Sequence, residues 1–186
     1  MSNNEIVSFN DEKLIVVDEN DTIIDYKSKI ECHRGNGILH RAFSIFIFND
    51  LGQLILQKRS GQKLLWPLYW SNSCCSHPRK GETLDTAIHR RLEQELGIDT
   101  DLIYLYTFKY QVSFKEVGSE NELCAVYIGK SDESVQVNEN EIAEWRYLDP
   151  NDLTREVVDH PENFTPWFKM EWTKLTTEFM DKINSL

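Results

Sequence analysis

Between Asn72 and Ile98 the sequence runs NSCCSHPRKGETLDTAIHRRLEQELGI, setting a thiol and an imidazole, Cys75 and His77, two residues apart. A helical pattern follows and ends at Gly97. On a wheel of about 100° per residue with Glu82 at zero, Leu84, Ile88 and Leu92 fall at roughly 200°, 240° and 280°. Glu95 and Arg91 fall at roughly 220° and 180°, in or beside the apolar stripe, where a charge is costly without a partner. An ion pair at i, i+4 between Arg91 and Glu95 would satisfy both; recruitment to a functional site is the other reading. Further on, ENELCAVYI from Glu120 to Ile128 reads as a strand. Its period of two places Glu120 and Glu122 on one face with Cys124, Val126 and Ile128, and two carboxylates in apolar company call for a cation. Lys58, Arg59 and Lys63 form a basic group in an acidic chain. They are either a solvated loop or an anion site, where Arg offers a two-pronged fork to phosphate oxygens.

These residues must be held by a domain of ordinary size. The chain has 186 residues, of which 40% are hydrophobic, enough to bury a core without staples, so a single domain spanning 1–186 is expected. A formal net charge of −11 argues against a nucleic-acid surface, and no Lys/Arg run suggests an anionic membrane partner. Four cysteines, two of them adjacent at Cys74 and Cys75, make no disulfide framework. The N-terminal MSNNEIVSFND lacks a basic segment followed by an apolar one, and no apolar run approaches the roughly 18 residues of a membrane span. A reducing cytoplasm, which keeps a thiol available, is the expected location.

Along the chain, Leu14–Val17 and Thr22–Asp25 flank a turn-rich DEND and predict a hairpin. Lys29–His40, KIECHRGNGILH, carries two glycines and few apolar residues and reads as a surface loop holding His33 and His40. A lone loop histidine is ordinarily solvated. Ala42–Phe48 is predicted as a strand, Asn49–Gly52 as a turn, and Gln53–Gln57 as its returning partner. Leu102–Phe108 predicts a strand leading to Tyr110, and Glu139–Pro150 contains another around Trp145. From Pro166 an amphipathic helix is expected, with Phe168, Trp172, Leu175 and Phe179 inward.

Counting back from Gly97, the segment resembles the Nudix signature, with Ser76 at the opening position and Glu82, Arg90, Leu92, Glu95, Gly97 and Ile98 in register. At two positions where that family carries metal-binding carboxylates, this chain has Arg91 and Gln94, which argues against diphosphate hydrolysis while keeping the fold. The preceding WSNSCCSHP, from Trp70 to Pro78, closely resembles the active-site segment of type I isopentenyl diphosphate isomerases, which keep a degenerate box on the Nudix fold. The likeness runs from about Lys29 to Trp167. It implies an α+β fold, a mixed β-sheet sandwiched between helices, with a Nudix-like core over about 40–150.

The same resemblance implies the chemistry. His33, His40, His77, Glu120 and Glu122 match the family's metal ligands, a set without thiolate that suits one Mn2+ or Zn2+. A separate Mg2+ is expected between Glu95 and the substrate's diphosphate. Lys29, Arg59, Lys63 and Arg91 match diphosphate-binding positions. Cys75 and Glu122 match an acid–base pair on opposite sides of the substrate. Tyr110 matches the residue that hydrogen-bonds the glutamate, and Trp167 the aromatic that faces the carbocation. The implied partner is the small molecule isopentenyl diphosphate. A monomer is expected, with a homodimer as the alternative.

Overall fold

The computed structural model describes residues 4–186. Its centre is β3 (His40–Phe48), nine residues whose alternate side chains feed two separate cores. Ala42, Phe46 and Phe48 point to one face, and Phe43, Ile45 and Ile47 to the other, so the strand is apolar throughout and buried on both sides. Against β3 lies β8 (Gly118–Lys130), parallel to it over nine consecutive pairs from His40↔Glu122 to Phe48↔Lys130. The partner of β8 on its other edge is β7 (Leu102–Phe114), antiparallel, with Tyr110 opposite Glu122.

The predicted hairpin is present as β1 (Lys13–Val17) and β2 (Ile23–Ser28). The predicted return strand is β4 (Leu54–Arg59), but it meets β3 only at Phe48↔Leu54. Its main partner is the distant β9 (Ile142–Leu148), antiparallel from Leu54↔Leu148 to Arg59↔Ile142. The turn at Asn49 therefore redirects the chain instead of closing a ladder. Two short strands, β5 (Trp70–Ser71) and β6 (Cys74–Ser76), pair with β4 and β3 respectively.

Among the described residues, five α-helices surround this mixed sheet. Lys29–His40 is not a surface loop, since it contains α1 (Lys29–His33), with Cys32, His33 and His40 buried. The cause is a capping box: Ser28 and Glu31 bond each other's backbone N–H groups. On one face, α2 (Leu84–Leu96) packs Ala87, Ile88, Leu92 and Leu96 onto Phe43, Ile45 and Ile47. It ends as expected at Gly97, whose φ of 66° is left-handed and whose N–H reaches the Glu93 carbonyl at 2.9 Å. On the other face lie α3 (Pro150–Asp159), α4 (Pro166–Glu178) and α5 (Met180–Ile183). Here α4 brings Trp167, Phe168, Trp172 and Leu175 into the core, while Phe179, just past its end, is half-buried against Tyr106. The α3 helix, capped by Asp149 with Pro150 in its first turn, begins where the stretch expected to hold a strand, Glu139–Pro150, ends, and no element was expected there. Among the described residues, no helix is long and apolar enough to cross a membrane.

Candidate active site

A cavity of about 390 Å3 opens where the ends of β3, β8 and α4 meet α1 and the segment after β4. Eleven of the residues singled out from the sequence line it: Lys29, His33, Arg59, Lys63, Cys75, His77, Arg91, Tyr110, Glu120, Glu122 and Trp167. His40 lies fully buried behind this wall. Glu95 is also buried and does not line the cavity; it touches Arg91 and accepts from Gln57 at 3.4 Å.

Four segments supply one cluster of donors. The donor atoms of His33, His40, His77, Glu120 and Glu122 all lie within 4.8 Å of one another, and every one of these residues is buried. The register produces this directly, because β3 pairs His40 with Glu122, and β6 runs beside β3 and delivers His77 just past Ser76. The imidazoles are oriented from behind. His33 Nδ1 donates to the Lys29 carbonyl at 2.6 Å and His40 Nδ1 to the Ile38 carbonyl at 2.7 Å, which turns both Nε2 atoms toward the cluster. His33 Nε2 is 2.8 Å from Glu120 Oε2, and His77 Nε2 is 2.8 Å from Glu122 Oε1. His40 Nε2 has no hydrogen-bond partner among the described residues. A sealed imidazole with an unused lone pair, facing two carboxylates, fits a divalent cation.

Electrostatics follow from burial and from these neighbours. Burial pushes the His40 imidazolium down to about 3, so this ring stays neutral, the form that binds a metal. Burial also drives Glu120 upward, but His33 outweighs it and holds the carboxyl at about 2. Glu122 goes the other way, well above the usual carboxylate range, because it is sealed from water beside Glu120. Tyr110 donates its hydroxyl to Glu122 Oε2 at 2.5 Å, which fixes the carboxyl group's orientation.

Cys75 lies on β6, directly opposite Ser44 of β3. Its thiol is pushed up to about 12 by burial, although Arg59 lies 3.8 Å from the sulfur. A proton is therefore retained there at neutral pH. Arg59 itself is anchored to the carbonyls of Trp66 at 3.1 Å and Leu65 at 3.0 Å, and its guanidinium lies 5.2 Å from the centre of the Trp167 ring. Trp66 stands edge-on to Trp167, 5.2 Å between ring centres, and backs the part of the cavity wall that Leu65 and Trp167 line.

Lys29, Lys63 and Arg91 gather at the polar end, and sequence reasoning missed what holds them there. Glu141, at the approach to β9, is buried and forms ion pairs with both Lys63 and Arg91, the latter at 3.0 Å. Burial raises its carboxyl, but Lys63 and Arg91 outweigh that and bring it to about 2. The i, i+4 pair between Arg91 and Glu95 is present as well. The N-terminal segment completes the wall. The Val7 carbonyl accepts from Arg91 at 3.0 Å and from Arg79 at 2.8 Å, and Ser8 accepts from Lys29 at 2.5 Å. A backbone carbonyl carries no side-chain signal, so nothing in the sequence marks Val7.

Comparison with known proteins agrees with this geometry. Residues 38–168 match the family model described as NUDIX domain. Over 174 residues the chain is 40% identical to isopentenyl-diphosphate Delta-isomerase 1 of Photorhabdus laumondii, covering 92% of this chain and 99% of that protein. Over 158 residues it is 42% identical to the isopentenyl-diphosphate Delta-isomerase of Serratia proteamaculans, covering 85% and 88%. Among solved structures, a Deinococcus radiodurans protein shares the fold at a TM-score of 0.73 and 22% identity, over 88% of this chain and 98% of that one. The chain belongs to the NUDIX family and, within it, to the isopentenyl-diphosphate Delta-isomerases.

Proposed function

We propose that the cavity interconverts isopentenyl diphosphate and dimethylallyl diphosphate, with Cys75 and Glu122 as the acid–base pair. The observation that supports this most is that one cavity brings the Cys75 thiol and the Glu122 carboxyl together with the cationic groups of Lys29, Arg59, Lys63 and Arg91. The reaction needs both. A proton is added to the terminal methylene carbon, the alkene's electron pair forms the new C–H bond, and a tertiary cation results. A proton then leaves the carbon two positions away, and its bonding pair becomes the new double bond. An alkene is a poor base, so the acid must be shielded from water and aimed at the carbon. Tyr110 orients the Glu122 carboxyl and shares its proton.

Binding follows from the cavity's polarity. Lys29, Arg59, Lys63 and Arg91 take the diphosphate, while Leu65 and Trp167 enclose the five-carbon end. The face of Trp167 stabilises the tertiary cation, a cation–π contact worth ~2 kcal/mol in a desolvated site. His33, His40, His77, Glu120 and Glu122 would hold one Mn2+ or Zn2+, which supplies positive charge that orders Glu122 and tunes its hold on the proton. Glu95, paired with Arg91 behind the cavity wall, would hold a Mg2+ bound with the substrate by exchanging that partner for the ion. The working unit is read as one domain over 1–186, a cytoplasmic monomer.

Hydrolysis is the reaction to exclude. Arg91 is tied into Glu95 and Glu141, and Gln94 accepts from Arg90 at 3.2 Å, so neither position offers a carboxylate. Isopentenyl diphosphate incubated with the protein and Mg2+ should yield dimethylallyl diphosphate with no phosphate released. Phosphate release without isomer would overturn the assignment.

A further inference from the structure

Glu171 is a carboxyl that the reaction as described does not use. It lies on α4 one turn beyond Trp167, so the two side chains share a helix face with Cβ atoms about 5–6 Å apart. Its exposure is 0%. Oε1 accepts from the Cys124 thiol at 3.7 Å, and that thiol in turn reaches Ser44 Oγ at 3.5 Å. Ser44 lines the cavity, whereas Glu171 lies behind it. Oε2 has no hydrogen-bond partner among the described residues, and neither has Trp167 Nε1. No basic group pairs with Glu171 among the described residues. The groups that face it are Ser44 on β3, Cys124 on β8 and the phenol of Tyr106 on β7, with Glu122 further along β8. Lys174, on the same helix, sits over the Tyr106 ring at 4.6 Å.

An acid in such a place is expensive to bury, and nothing in the packing requires it. We propose that Glu171 is a further electrostatic residue of the proposed reaction, whose carboxylate behind Trp167 stabilises the positive charge that develops on the substrate. The inference rests on the isomerase reading. Glu171 touches no reacting atom and acts across the indole. Burial raises its carboxyl to about 8, so the stabilising charge is present only in the ionised fraction, which grows through mildly alkaline pH. For a unit charge about 10 Å from the forming cation, at an effective dielectric of ~20, the expected gain is on the order of tenfold in the charge-forming step.

The test compares kcat and KM of the native chain and of Glu171→Gln between pH 6 and pH 9.5, with Mg2+ and the tightly bound metal saturating. The native kcat should climb about tenfold through pH 8 with KM little changed, and Glu171→Gln should be flat. Glu171→Leu, which removes the polar group altogether, should be flat as well. Thermal midpoints measured alongside test the ionisation without relying on activity. Because folding raises this carboxyl above its unfolded value, native stability should fall relative to Glu171→Gln as pH rises from 5 to 9. A native chain that isomerises with the same pH profile as Glu171→Gln would overturn this inference alone. A native chain that makes no dimethylallyl diphosphate at any pH would overturn the reaction it rests on.

Discussion

Glu122 is proposed to combine two roles, metal ligand and proton carrier, and substituting each carboxylate of the strand separates them. Glu122→Gln keeps the side-chain shape and one coordinating oxygen but has no exchangeable acid proton. Loss of a positioned acid–base group costs about 10²–10⁴ in rate. The structure adds a second cost. Tyr110 donates to Oε2 at 2.5 Å while His77 Nε2 sits 2.8 Å from Oε1, and an amide has only one oxygen to offer the two. One contact becomes mismatched, at about 1–3 kcal/mol for a buried polar group. Glu120, 2.8 Å from His33, is proposed to have only the ligand role. Glu120→Gln should therefore lose activity through weaker metal retention, and excess Mn2+ or Zn2+ should restore part of it. The assay is isomerase rate against added metal for both variants, with bound metal quantified in the same samples. Glu122→Gln should stay at least 10²-fold down at every metal concentration. If metal rescues it as well as Glu120→Gln, Glu122 is a ligand only, and the proton must come from another group such as Tyr110.

Three further outcomes follow from named contacts. Cys75→Ala should abolish turnover with metal content and fold intact, whereas Cys74→Ala, buried against α2, should stay active and lose about 1–2 kcal/mol of stability; exchange of these results would show the acid to be Cys74. Glu141→Gln removes the carboxylate shared by Lys63 and Arg91 and should cost about 3–5 kcal/mol at pH 7. Because folding lowers the Glu141 carboxyl to about 2, its contribution is present above the unfolded value and is lost as pH falls through about 2. Denaturant midpoints of the two proteins should therefore converge on acidification, and a gap that is the same at pH 7 and at pH 2.5 would refute the pairing. Arg91→Glu with Gln94→Glu should weaken diphosphate binding and end isomerisation without creating a hydrolase, and ordinary hydrolytic rates in the double variant would show that those two residues alone separate the activities.

The local half of this site could be read from the sequence. The wheel placed Arg91 and Glu95 within reach on the buried side of α2, where the ion pair exists and Arg91 also lines the cavity. The period of two in β8 put Glu120 and Glu122 on the face that holds Cys124, Val126 and Ile128. Gly97 marked the helix end because only a left-handed residue could close it there. Even α1, misread as a surface loop, carried the signal Ser28-x-x-Glu31 of a capping box. The residues from Lys29 to Trp167 take their expected roles from the resemblance, not from any local pattern.

Tertiary structure alone decided how these pieces meet. Parallel pairing of β3 with β8 sets His40 opposite Glu122 across 82 residues of chain, and no short-range period encodes that register. The predicted hairpin of Ala42–Phe48 with Gln53–Gln57 failed for the same reason: the longer ladder with β9 outcompeted the local turn. Glu141 looked like one acid among 31 and became the joint between Lys63 and Arg91 only through folding. Glu171 fits a helix surface by composition, and its isolation from water is a property of the packed sheet behind it. Local periodicity reports which face of an element is buried. Which distant charge shares that burial is fixed by the pairing of strands far apart in the chain.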